Sequence, residues 1–227
     1  AQVESFEELA ITSSLVRPAG ASYTATFIER HRKAKAGITD WEYLHPSLEP
    51  ILKEAHDVCA FQEDVTKICH EVAGLSFKKA DKIRKMMNSM HEGELGEELI
   101  RQTAEEFMQG CIDKSGLSRE QAVELWSRVG SFTGFSFCKS HSASYAQLSF
   151  QCTYLKAYYP AQFLAAVISN QHGFYTKDVY LNEARRWGIR ILPLSINESN
   201  DGYHGKHNWI RPGLMHVRNL TQKNLSG

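Results

Sequence analysis

Net charge is what this sequence most plainly lacks. Its 26 lysines and arginines are balanced by 26 aspartates and glutamates, so no overall field selects a partner. Cysteine is sparse: Cys59, Cys69, Cys111, Cys138 and Cys152 form an odd set with no C-x-x-C pair. That argues against a disulfide framework or a zinc knuckle and fits a reducing compartment. Only two histidines, His204 and His207, lie close together, in a Gly-rich loop, so no metal site is expected. There is no signal peptide, no repeat and no low-complexity linker, and no apolar run approaches the roughly 18 residues of a membrane span. A soluble, cytoplasmic chain with no membrane partner is expected. Both ends break off inside elements, so the chain reads as a piece of a longer polypeptide.

What is present is mostly helical period. In FQEDVTKICHEVAG, Phe61, Val65, Ile68, Cys69 and Val72 fall on one stripe, and Gly74 suits a left-handed cap. Ser76 is placed to cap FKKADKIRKMM, and Ser118 with Gln121 has capping-box spacing ahead of a helix expected to close at Gly130. The next helix is expected over residues 142–158. Its Tyr145, Leu148, Cys152, Leu155 and Tyr159 advance by three and four, a narrow seam expected to be buried. Pro160 fits the first turn of a further helix. After Gly188 the pattern shifts to short strands and turns. The expected fold is mainly α, a multi-helix domain over residues 1–188 with a small β element over residues 189–227.

Two basic clusters interrupt the neutral total. ERHRKAKAG carries Arg30, Arg32, Lys33 and Lys35, and FKKADKIRKMM carries Lys78, Lys82, Arg84 and Lys85. Such runs are often solvated helix faces; the functional reading is contact with phosphate, on a nucleic-acid backbone or a nucleotide. The stretch FCKSHSASY favours the second. A helix N-terminus offers unpaired N–H groups and the positive end of the helix dipole. Lys139 adds a mobile cation, Ser140 a hydroxyl and His141 an imidazole donor. The small residues Ser142, Ala143 and Ser144 are expected to let a ligand approach closely. Cys138 and His141 could instead suggest a thiolate and its base, but no orienting group or oxyanion hole accompanies them.

Read in order, these segments resemble the bacterial DNA polymerase III alpha subunit, the C-family of DNA polymerases. LVRPAG is similar to the family's L-x-R-P-G-P. HPSLEPILKEAHDVCAFQEDVTKI resembles L-x-P-I-L-x-x-T-Y-G-V-x-V-Y-Q-E-Q-V-M, and ADKIRKMM resembles A-D-x-L-R-R-A-M. GFSFCKSHSASYAQLSFQCTYLKAYYPAQFLAA resembles the K-S-H block and the helix after it. The resemblance implies a helical fingers domain leading toward a helix-hairpin-helix region. It implies that Arg84, Lys85, Lys139, Ser140, His141 and Tyr145 meet the triphosphate of an incoming dNTP, with Gln62 and Glu63 as scaffolding.

The departures are Lys85 for an arginine, NSMH for a lysine-rich run, Ser136 for glycine and Cys138 for asparagine. GLMHVRNLT replaces a Gly-rich hairpin, where Asn219 can take left-handed backbone. Phosphoryl transfer in this family needs metals on a D-x-D pair, and no two aspartates here have that spacing. The resemblance therefore implies no catalytic residue in this chain, no activity alone, and Mg2+ in the parent enzyme's palm. It implies primer-template DNA, the remaining polymerase domains and other replisome subunits as partners. Arg30, Arg32, Lys33 and Lys35 are the expected nucleic-acid contacts. The alternative is a non-catalytic helical nucleic-acid-binding or interaction module.

Overall fold

The computed structural model of the chain describes residues 3–16, 21–88, 94–133, 137–170 and 173–221. Residues 17–20 of LVRPAG, residues 89–91 of NSMH and Ser136 lie outside them. The protein is mainly α-helical with a small β element near its C-terminal end. Two compact units divide the chain, residues 1–147 and 148–227.

In the first unit α1 (Phe6–Leu15) is capped by Ser5, whose hydroxyl accepts the Glu8 N–H at 3.1 Å. The ERHRK cluster lies on α2 (Ala21–Lys35). The turn Pro46–Leu48, α3 (Glu49–Leu52) and the turn Lys53–Ala55 then lead toward α4 (Gln62–Lys67). A π-helical turn, Ile68–Val72, extends α4. There follow α5 (Phe77–Asn88), α6 (Glu94–Ser115), α7 (Arg119–Thr133) and the first half of α8 (Lys139–Tyr158), whose residues from Leu148 onward belong to the second unit.

The caps follow local chemistry. Gly74 is left-handed at φ 71°, and Ser76 Oγ accepts the Lys79 N–H at 3.3 Å. Ser118 and Gln121 exchange both capping-box bonds, at 2.9 and 3.2 Å. The helix they open does not stop at Gly130 but runs on to Thr133. One glycine in a helix interior costs only about 1 kcal/mol, too little to end a helix whose Val129 is packed in the core. That core joins Val65, Ile68, Cys69 and Val72 to Ile83 of α5, Phe107 and Cys111 of α6, and Leu125 of α7. A second cluster joins Ile11, Leu15 and Phe27 to Phe61 and Ala146. Cys69 and Cys111 pack as small hydrophobes, and burial pushes both thiols up to about 12.

In the second unit α9 (Pro160–Asn170) and α10 (Lys177–Arg186) share a core with a three-stranded sheet. The strands β1 (Arg190–Ile191), β2 (His204–Lys206) and β3 (Trp209–Arg211) are ordered β1-β3-β2. Strand β1 pairs parallel with β3, and β2 pairs antiparallel. Ala161, Leu164 and Ala165 meet Ala184, Ile189 and Ile210. Gly188, where the sequence pattern changes, lies inside this unit as a left-handed cap. Asn219 has φ 69°, the left-handed geometry its side chain tolerates.

One expectation fails in α8. Leu148 is 53% exposed and Leu155 45%, and Tyr145 and Tyr159 are exposed with them. Ser142 and Ala146 are the buried positions of that helix. Spacing by three and four marks a face; it does not supply an element to cover it. The seam is a surface of this chain.

Candidate functional site

The site is built where two helices begin side by side. Phe61, in extended conformation, precedes α4. The Asp64 carboxylate accepts the N–H groups of Ala60 and Phe61, both at 2.9 Å, which fixes the first turn. Phe61 pairs as a parallel β-bridge with Phe137, two residues ahead of α8. The Gln62 N–H donates to the Phe137 carbonyl at 2.9 Å. The sequence thus brings the FQED and FCKSH segments into register, across more than seventy residues.

Onto this paired start come the expected phosphate-binding residues. Lys139 donates its backbone N–H to Glu63 Oε2 at 2.8 Å. Its ammonium donates to Glu54 Oε2 at 2.8 Å and lies 5.5 Å from the Phe61 ring centre. The hydrogen bond from Lys139 holds the Glu54 carboxyl below its usual range, and Glu54 in turn raises Lys139. Arg84, from α5, donates Nη1 to Gln62 Oε1 at 3.1 Å and Nη2 to Asp81 Oδ1 at 2.8 Å. Lys85 reaches the other Asp81 oxygen at 2.7 Å. Lys85 first, then Arg84, lower the Asp81 pKa. Arg84 and Lys139 are therefore attached to consecutive residues, Gln62 and Glu63, of the same helical turn.

His141 is stacked on Phe137 at 5.1 Å between ring centres and meets Tyr145 edge-on at 4.6 Å. Ser140 is exposed beside them, with its Oγ 3.4 Å from Cys138 Sγ. His141 is thus engaged with aromatic rings, and Cys138 with a serine. Ser142 departs from expectation: it is buried, and its hydroxyl finds no hydrogen-bond partner among the described residues. It packs inward on the Ala146 side, so a ligand's approach is left to Ser140 and Ser144 on the exposed side.

The other basic cluster is largely committed internally. Arg30 donates to Asp57 Oδ2 at 3.0 Å and to the His56 carbonyl at 2.8 Å. Lys33 pairs with Glu29 and Asp40, and Lys35 with Glu4 and Glu8. Arg32 is exposed. Among the described residues no group of three His, Cys, Asp or Glu side chains could hold a metal ion. No described helix is long and apolar enough to cross a membrane.

A family model, the bacterial DNA polymerase III alpha subunit finger domain, matches residues 1–115, half of the chain. The chain belongs to that family. Among its relatives is a DNA polymerase III subunit alpha of Borreliella burgdorferi, 33% identical over 97% of this chain and 18% of the relative. Another, from Thermus aquaticus, is 32% identical over 95% of this chain and 17% of the relative. An error-prone DNA polymerase of Corynebacterium glutamicum is 31% identical over 95% of this chain and 20% of its own length. The chain spans about a fifth or less of these curated relatives. Within this finger domain Arg84, Gln62 and Glu63 fall inside the family match; Lys139 to Tyr145 lie beyond residue 115.

Asp64 supplies a pH-dependent test of the helix start. Burial raises its pKa to about 6, against two backbone hydrogen bonds that lower it. The unfolded carboxyl titrates near 3.8. Stability from this group is complete below that value and is lost as pH rises through about 6. The shift corresponds to about 3 kcal/mol. Asp64→Asn keeps an acceptor for both N–H groups and cannot ionise. Denaturant unfolding from pH 4 to 7 is expected to lose this slope in the variant; an unchanged slope assigns it to other groups.

Proposed function

We propose that this finger domain holds the triphosphate of an incoming deoxynucleotide in a DNA-directed DNA polymerase. The observation that carries the reading is that the Arg84 guanidinium, on Gln62, and the Lys139 backbone N–H, on Glu63, are anchored to one turn at the paired starts of α4 and α8. Cations and helix N-terminal groups placed in a fixed frame neutralise phosphate charge without reorganising during the reaction. Lys139 and Arg84 supply the charge, Lys85 a mobile ammonium, and Ser140 and His141 donors to phosphate oxygens. Tyr145, edge-on to His141 and exposed, offers a ring beside the nascent base pair. Arg32 is the member of the α2 cluster open to a template phosphate.

The two-metal step of phosphoryl transfer has no ligand set in these residues. We assign it, with its Mg2+, to the remainder of a longer cytoplasmic polypeptide, and assign no catalysis to this chain alone. Primer-template DNA, the other polymerase domains and replisome subunits are the partners this reading requires.

Arg84→Ala and Lys139→Ala in the full-length polypeptide should each raise the nucleotide KM about 10-fold or more, the size of one charge-assisted hydrogen bond. Primer-template affinity should change less than about 2-fold. Weakened DNA binding with an unchanged nucleotide KM would reverse the assignment.

A further inference from the structure

The Lys139, Arg84 and Lys85 side chains of the proposed nucleotide site, and the Lys139 N–H, already carry carboxylates from their own domain. Glu54 sits on the Lys139 ammonium, Glu63 on the Lys139 N–H, and Asp81 on Arg84 and Lys85. A polyanionic ligand arriving at this turn therefore meets charges that are already neutralised. The carboxylates differ in what holds them. Asp81 is on the same helix as its partners, at i+3 and i+4, and its pairing is local. Glu54 is 85 residues from Lys139 and is delivered by a separate element.

That element is built to be stiff. Glu54 lies in the turn Lys53–Ala55, which ends in two consecutive left-handed residues, His56 and Asp57. Arg30 clamps both, through the His56 carbonyl and the Asp57 carboxylate. Lys139 in turn leaves the rigid start of α8 across the Phe61 ring. The pair is half exposed on both sides, so it forms and breaks at small cost.

We infer that Glu54 is a built-in competitor for the nucleotide: it occupies Lys139 until a triphosphate displaces it. This rests on the nucleotide reading above and adds to it a residue that sets the apparent nucleotide affinity. Any phosphate that uses Lys139 must first open this pair, so Glu54 lowers the affinity for nucleotide and for pyrophosphate by the same factor.

The test uses the full-length polypeptide with Glu54→Gln, Lys139→Ala and the double variant, measuring the nucleotide KM, kcat and inhibition by inorganic pyrophosphate. Glu54→Gln is expected to lower KM about 2- to 5-fold, the range set by an exposed ion pair, with kcat not raised. Pyrophosphate should inhibit it more strongly by a similar factor. The double variant should match Lys139→Ala within about 2-fold, because Glu54 acts only through that lysine. Glu54→Ser gives the same comparison if the glutamine variant folds poorly. If Lys139→Ala raises KM while Glu54→Gln leaves it unchanged or raises it, Glu54 merely positions the lysine and the competition is disproved. If Lys139→Ala has no effect on KM, the nucleotide site itself is wrong.

Discussion

Replacing Asp57 by alanine is expected to destabilise the first unit by about 3 kcal/mol. Its side chain is 1% exposed and accepts from Arg30 at 3.0 Å, with Arg128 at 3.6 Å. It thereby ties α2 and α7 to the segment that leads into α4. Breaking a buried ion pair from one side costs about 3–5 kcal/mol, because the remaining charge stays poorly solvated. The lower end is expected here. Arg30 and Arg128 are themselves partly exposed, and a cavity of about 200 Å3 beside them leaves room for water.

Asp57 also has φ 62°, a conformation that suits glycine and is strained for alanine. Asp57→Gly should therefore be about 1 kcal/mol less damaging than Asp57→Ala, the reverse of the usual order for the two residues. Glycine is the residue at this place in the family stretch T-Y-G-V. Urea unfolding of the two variants measures both numbers. Equal losses would show that the backbone there is unstrained.

Gly110→Ala is the second large effect, about 3 kcal/mol or more lost. Gly110 lies inside α6, where alanine is ordinarily worth about 1 kcal/mol in helix propensity. Here the added Cβ would sit well inside the radius of the Ala73 carbonyl oxygen. That carbonyl follows the π-helical turn, whose end is fixed to α6 by two further bonds. Ser115 Oγ donates to the Val72 carbonyl at 2.8 Å, and Lys114 Nζ to that of His70 at 2.8 Å. The helix cannot back away without breaking them, so overpacking outweighs propensity. Gln109→Ala, on the exposed neighbour, should stay within about 0.5 kcal/mol. Melting curves of the two variants provide the comparison, and a neutral Gly110→Ala would mean the two elements separate freely.

The two cases show where local reading ends. Ser76, Ser118, Gln121, Gly74, Pro160 and Asn219 act on groups within a few residues, and their roles were legible from spacing. The order of the FQED, IRK and KSH segments likewise pointed to the finger domain. Glu54 gave no signal, because its partner Lys139 is 85 residues away and an acid among exposed residues is ordinary. Arg30 and Lys33 looked like a free basic patch because Asp57 and Asp40, which neutralise them, lie on the far side of chain turns. Nothing near Gly110 in the sequence signals Ala73, whose carbonyl lies against it.

Sequence alone determined the helical class, most of the caps, the family and the segments that carry charge, since these depend on near neighbours and on motif order. Tertiary structure alone decided that Arg84 and Lys139 share one helical turn, that carboxylates already sit on them, and that the α8 seam faces solvent. Those facts depend on which distant surfaces the chain brings together, and periodicity describes only one side of each contact.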